Sequence, residues 1–467
     1  MTASDTRAEL TNDLVFPPGF TFGAATAAYQ IEGAVDVDGR GPSIWDTFSH
    51  TPGRTFQGHT GDVAVEHYTR YPEDVALMAD LGLSAYRFSV AWSRVLPAGA
   101  GRVEQRGLDF YDRLVDELLG RGIDPWLTLY HWDLPQALQD RGGWTDRSTA
   151  ARFADYASVV HRALGDRVRH WSTLNEPMCS ALLGHMSGQH APGERNAVAA
   201  ARATHHLLLG HGLATRVLRD QGADHLGITL NFTPMTPATD RPEDVDAARR
   251  LDGQQNRMFL EPVVNGAYPA DVVADLAAAG APPPIEDGDL EVIAAPLDWL
   301  GVNYYFESTV RVGRRPADQP TSFIGGEDVV ELDPEGPTTT MGWGISPETF
   351  TRLLLWLDER APGLPLVVTE NGSAWPDEVS ADGGVHDPER TDYLLRHLAA
   401  VRRAMEGGAD VRGYFAWSLL DNYEWARGYA QRFGLVHVDY ATQQRTLKDS
   451  ARVYAELLRR HRQASEG

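Results

Sequence analysis

Two glutamates stand where apolar runs give way to polar residues: Glu176 in Thr-Leu-Asn-Glu-Pro (173–177) and Glu370 in Val-Thr-Glu-Asn-Gly (368–372). Carboxyl groups facing each other across a cleft suit the cleavage of a glycosidic bond. One protonates the leaving oxygen, and the other stabilises or attacks the anomeric carbon. A separation of about 5–5.5 Å would route the reaction through a covalent glycosyl-enzyme with retained configuration. Rival chemistries find little support. The 16 histidines contain no HExxH, and His206 and His211 are wrongly spaced for one helical face. A GxSxG elbow, a P-loop and a GxGxxG after a strand are all missing. Cys179 has no histidine-activated surroundings that would make it a nucleophile. A Schiff-base aldolase needs a lysine at the site, but the only lysine, Lys448, lies beyond the last strand expected below. Two carboxyls and water complete the chemistry, so no metal or cofactor is implied.

The elements that must position these carboxyls read as alternating strands and helices. Strands are expected at Thr21–Gln30, Ala85–Val90, Pro125–Trp132, His170–Glu176, Leu226–Phe232, Leu297–Tyr305, Pro365–Glu370 and Val411–Ser418. Several are near-continuous apolar runs, as in parallel strands buried on both faces. Leu108, Tyr111, Leu114, Val115, Leu118 and Leu119 share a helical face, with Gly122 as a stop. Asp387-Pro388 opens a second helix with Leu394, Leu395, Leu398 and Val401 inward, and Pro72 opens a third that stops at Gly82. Eight strands alternating with helices predict a single-domain (β/α)8 barrel over 15–460, between polar tails at 1–14 and 461–467. A polar residue at one strand end has a plain cause, since the chain is returning to solvent. Here Gln30, His131, Asn175 with Glu176, Asn231, Asn303 with Tyr305, Glu370 and Trp417 all end strands, and a barrel gathers them on one rim. Long connections around 31–70, 233–296 and 306–346 supply walls above that rim.

Composition narrows the partners. The chain carries 65 acidic and 42 basic residues, a net charge of −23, which repels nucleic acid and anionic lipid. No apolar run approaches the roughly 20 residues of a membrane helix. A single cysteine forbids an intrachain disulfide, and the start has no basic region followed by an apolar one, so a cytoplasmic location is expected.

From about residue 15 to 460 the chain resembles family 1 glycoside hydrolases. The resemblance is carried, in order, by FTFG (20–23), YQIEG (29–33), YRFSVAWSR (86–94), LYHWDLPQAL (129–138) and NEP (175–177). GQHAPG (188–193), NYY (303–305), TENG (369–372), WSLLDNYEWARGY (417–429), RFGLVHVDY (432–440) and RTLKDSA (445–451) continue it. It implies a retaining β-glucosidase acting on small β-glucosides or short oligosaccharides, with Glu176 as acid/base and Glu370 as nucleophile. Arg87 and Tyr305 would keep Glu370 ionised, and Asn175 would bond the sugar's 2-hydroxyl. Gln30, His131, Glu424 and Trp425 would meet other hydroxyls, and Trp417 would face the pyranose ring. Trp132, Asn303, Trp343 and Phe433 adjoin the same pocket.

The resemblance also frames what is particular to this chain. Glu424 stands where members acting on 6-phosphosugars carry serine, and no lysine is near in sequence, so unphosphorylated glucosides are expected, with galactosides and fucosides as side substrates. Met178 follows NEP where tryptophan is common, and MGWGISP (341–347) replaces the usual MGWEIYP. Met178, Cys179 and His190 are expected on the leaving-group side, whose preference these departures leave open. Transglycosylation is one variant of the reading. A non-catalytic sugar-binding barrel is the rival class; it would typically lack one of the two glutamates, and both are present.

Overall fold

Eight parallel strands close into a barrel in chain order: β1 Thr21–Ala25, β2 Ala85–Ser89, β3 Asp124–Tyr130, β4 His170–Asn175, β5 His225–Asn231, β6 Trp299–Asn303, β7 Leu366–Asn371 and β8 Val411–Trp417. This computed structural model describes residues 14–316 and 319–466. All but Leu14 of the tail expected at 1–14 therefore lies outside the described residues, and the last helix, Asp449–Glu466, runs through the boundary expected at 460. Among the described residues no helix is long and apolar enough to cross a membrane.

The apolar runs become strands because both faces are covered. Every residue of β2 and β7 is buried, as is every residue of β3 after Asp124. The barrel's inside is filled below the rim by Trp126, Trp299 and Phe415, with ring centroids 5.1–5.3 Å from Trp126. Glycine makes room for them. A Cβ on Gly227 would meet the Trp299 ring at 2.4 Å, and one on Gly23 would meet Phe415 at 2.5 Å.

Helices pack outside. Gln105–Gly120 buries Leu108, Tyr111, Leu114, Val115 and Leu118, while Leu119 turns outward at 39% exposure. Pro388–Glu406 opens with proline in its first turn, as expected. Asp387 precedes it without a side-chain capping bond, because its carboxylate accepts from Arg390 Nη1 at 2.5 Å and Ser450 N at 2.8 Å. The helix expected to open at Pro72 begins five residues earlier, spanning His67–Leu81. A His67 Nδ1–Asp74 Oδ2 bond of 2.7 Å ties its first residue past the proline.

Most expected strands run too far at their C-terminal ends. Gln30 lies on a helical turn, Ala28–Ile31, rather than in β1. The Ala28 amide donates to Ser89 Oγ at 2.8 Å and the Gln30 amide to Ala27 O at 3.1 Å, which bends the chain off the barrel. Trp132 (φ 78°) and Glu176 (φ 46°) adopt left-handed backbone just past β3 and β4. Such conformations cost non-glycine residues energy and gather at functional sites.

The long connections fold into walls. One carries the helix Ile44–Ser49, opened by a reciprocal Ser43–Asp46 cap. Another carries the helices Pro242–Asp252, Met258–Asn265 and Ala270–Ala278. Ser308–Val312 pairs with Val329–Leu332 and with Met235–Pro237 in a small separate sheet. Lys448 is fully buried, its Nζ 2.6 Å from both Asp377 Oδ2 and Asp421 Oδ1.

Candidate active site

A cavity of about 700 Å³ opens at the C-terminal ends of the strands. Glu370 and Glu176 line it, each under 7% exposed, in opposite surroundings. Arg87, buried at the top of β2, donates through Nη1 to Glu370 Oε1 at 2.7 Å. Tyr305 Oη donates to Glu370 Oε2 at 2.7 Å, so both oxygens of this carboxylate accept from a strong donor. Arg87 Nη2 reaches Asn175 Oδ1 at 2.6 Å, joining β2, β4 and β7. Glu176 has no cation bonded to it. It accepts from Asn303 Nδ2 at 2.6 Å and, on its other oxygen, from Cys179 Sγ at 3.1 Å. Burial and the nearby charge of Glu370 push its pKa up to about 8. One carboxyl is thus built to hold a proton near neutrality, beside another whose lone pairs are aimed by a guanidinium and a phenol.

Residues expected to meet sugar hydroxyls surround this pair. His131, Trp132, Trp417, Glu424 and Trp425 line the cavity. Gln30 is buried beside it, with Nε2 donating to Asn422 Oδ1 at 3.0 Å and Tyr423 O at 2.8 Å. Gln30 Oε1, His131 Nδ1 and Glu424 Oε2 are buried atoms with no protein partner. Three orphaned polar atoms in one concave site are what a ligand rich in hydroxyls satisfies. Burial and the charges of Glu370 and Glu176 also push Glu424 up to about 8. Burial, with a contribution from Arg87, pushes His131 well below the usual imidazole range, so it is neutral.

Asn175 and Asn303 are bonded to their neighbours within the floor. The Asn303 amide donates to Glu176 and to Asn175 Oδ1 (3.1 Å), and its oxygen accepts from Thr369 Oγ1 at 2.7 Å. Through these bonds Asn303 holds one oxygen of Glu176. Asn175 keeps one contact toward the cavity side, Nδ2 to His131 Nε2 at 3.1 Å.

Aromatic walls rise above. Trp343 packs on Tyr305 (5.3 Å), Phe433 (6.1 Å) and Phe306 (4.9 Å). Met178, Cys179 and His190 line the cavity from β4's continuation, where Cys179–Ser187 winds as a wide π-type helix. His190 sits 5.3 Å from both Trp45 and Trp132, and burial pushes its pKa down to about 3. The structure adds lining residues that the sequence reading missed: Phe48, Arg54, Arg195, Phe306, Phe323 and Arg427. Their only sequence signal was the length of the loops carrying most of them.

The chain is similar to known proteins over nearly its whole length. Residues 12–463 match the model of Glycosyl hydrolase family 1. A thermostable beta-glucosidase B from Thermobispora bispora is 53% identical over 453 residues, 96% of this chain and 92% of that one. A bifunctional beta-D-glucosidase/beta-D-fucosidase from Bifidobacterium breve is 50% identical over 96% of this chain and 99% of its own length. The crystal structure of a psychrophilic beta-glucosidase from Micrococcus antarcticus superposes with a TM-score of 0.93 at 51% identity, covering 97% and 99% of the two chains. A closed eight-stranded barrel, two unlike glutamates at the ends of its fourth and seventh strands, and a match over nearly the whole length place this chain in glycosyl hydrolase family 1.

Proposed function

We propose that the protein is a retaining β-glucosidase that removes terminal β-D-glucosyl residues from unphosphorylated glucosides and short oligosaccharides, with Glu370 as nucleophile and Glu176 as acid/base. The observation that carries this reading is the contrast between the two carboxyls. Glu370 is held as an acceptor by Arg87 and Tyr305, and Glu176 is raised to about 8 beside it.

In the first step Glu370 attacks the anomeric carbon while Glu176 gives its proton to the departing oxygen. Esterification removes the charge of Glu370. That charge is one of the causes that raise Glu176, so its pKa falls; having given its proton to the leaving group, Glu176 stays ionised and can take a proton from the incoming water. Water attack returns the sugar with its original configuration. Glu424 stands at the sugar end of the floor and Lys448, the one lysine, is held by Asp377 and Asp421, so no lysine is there to grip a phosphate, which disfavours a phosphorylated sugar. The relative named for both β-glucoside and β-fucoside cleavage supports fucosides as side substrates.

The test is hydrolysis of p-nitrophenyl β-glucoside by the wild type and Glu370→Gln, alongside the 6-phospho substrate, with the first-formed anomer followed by NMR. Turnover by the wild type alone, releasing β-glucose first, is expected. Release of α-glucose would make the enzyme inverting and remove Glu370 as nucleophile. A folded but inert wild type would bring forward the sugar-binding barrel.

A further inference from the structure

The chain is strongly acidic, yet four arginines line the cavity: Arg54, Arg195, Arg315 and Arg427. Two have acidic neighbours. Arg315 lies 3.8 Å from Glu331, and the charge of Arg427 acts on Glu424, holding its carboxyl down against the other influences there. Arg54 and Arg195 differ. Among the described residues neither forms an ion pair, and each is held by a neutral backbone carbonyl. Arg195 Nε donates to Ser187 O at 3.2 Å, and Arg54 Nη1 reaches Gly188 O at 3.5 Å. These consecutive carbonyls end the wide helix that begins at Cys179, so both guanidiniums stand on the same wall as Met178 and His190.

A plainer account is that they cap the helix's C-terminal carbonyls, where positive charge is favoured. It covers only part of each side chain. Arg195 is anchored through Nε, which leaves its two terminal nitrogens for another partner, and a guanidinium offers them as a planar fork that fits a carboxylate. Arg54 also lies over the Phe48 ring, 5.4 Å from its centroid. Phe48 adjoins Trp45 at 5.2 Å, and Trp45 adjoins Trp425 at 4.6 Å, so the charges border an aromatic surface.

We propose that Arg54 and Arg195 form an anion-recognising rim on the leaving-group side, which favours β-glucosides of aromatic acids over those of neutral phenols. This rests on the β-glucosidase reading above. The ring of such a leaving group lies on the aromatic wall, and its carboxylate meets the two guanidiniums. The floor does not oppose it near neutrality: Glu176 and Glu424 are both pushed up to about 8, and Arg87 offsets Glu370. The negative charge of the outer surface is screened beyond about 8 Å at physiological salt.

The experiment compares carboxyphenyl and carbamoylphenyl β-glucosides, with p-nitrophenyl β-glucoside as reference, in the wild type, R54Q/R195Q and R54E/R195E. The readout is the ratio of kcat/KM for carboxylate over carboxamide. It is independent of how much enzyme is folded, and intrinsic leaving-group differences cancel between variants. The ratio should fall about tenfold in R54Q/R195Q, fall further in R54E/R195E, and drop in the wild type at about 0.5 M salt. An unchanged ratio in both double variants overturns the proposal while turnover of the nitrophenyl glucoside leaves the parent reading standing. A wild type inert toward the nitrophenyl glucoside brings down both.

Discussion

The floor and the leaving-group wall of this cavity are built in different ways. The floor takes Arg87, Asn175, Asn303 and Glu370 from four barrel strands and cross-links them by bonds of 2.6–3.1 Å, all but sealed from solvent. No one of these side chains can move without breaking contact with another strand. The wall takes Met178, Cys179 and His190 from one irregular helix and the turn after it, and Arg54 from a loop. Its arginines are anchored at 3.2–3.5 Å on backbone carbonyls. A network shared among strands fixes a geometry, whereas a wall held locally can change residue by residue. On the proposed function, the reaction belongs to the barrel and the preference among leaving groups to the wall.

Substitutions can break or sharpen that division. The largest effect is expected at Glu370→Gly, which should lower hydrolysis by roughly 10³-fold or more. Azide or formate should restore rate by occupying the vacated space, and a folded variant that shows no rescue would remove Glu370 from its role. Next comes Arg87→Met, which leaves Glu370 and Asn175 without their shared donor. Losing one buried charged donor at the reacting carboxylate should lower kcat/KM roughly 10²–10³-fold for every leaving group alike. A loss that depended on the leaving group would blur the boundary between floor and wall.

The pH profile is a subtler probe. Glu176 must be protonated to act as acid, so kcat/KM should decline as pH rises through about 8. A rate that stays flat up to about pH 9 would contradict that role. The smallest effect is expected at Cys179→Val, where wall and floor touch. Burial and the neighbouring Glu176 hold this thiol far above its usual range, so it stays protonated and donates. Removing a neutral donor to the carboxylate should move the alkaline limb upward by less than about one pH unit. A limb that stays in place would mean that the wall does not tune the acid.

What was legible in the sequence follows the same division. The runs that became β3 and β7 declare themselves because both faces are buried, and Glu176 and Glu370 sit at the ends of such runs. The strand ends were misplaced because residues such as Trp132 and Glu176 adopt left-handed backbone that no hydrophobic period encodes. Asn303 is expected from its place on the rim to adjoin the pocket, and it lines the cavity, but its bonds to protein could not be foreseen. Its partners in the fold, Asn175 with the adjacent Glu176 and Thr369, come from two other stretches of chain and meet it only in the folded barrel. Arg54 and Arg195 left no periodic trace, since a loop and a turn carry them to the wall.

The burial of Lys448 reaches beyond the fold. It is the one lysine of the chain, and Asp377 and Asp421 enclose its amine away from solvent. The aldehyde form of a free sugar condenses with exposed ε-amines, as do activated esters and dialdehyde cross-linkers. A protein whose surface is dressed in arginine alone offers those reagents no lysine to attack. It would keep nearly all its charge in concentrated sugar, and amine-directed attachment to a support would have only the α-amine to use, leaving carboxyl chemistry as the broader route.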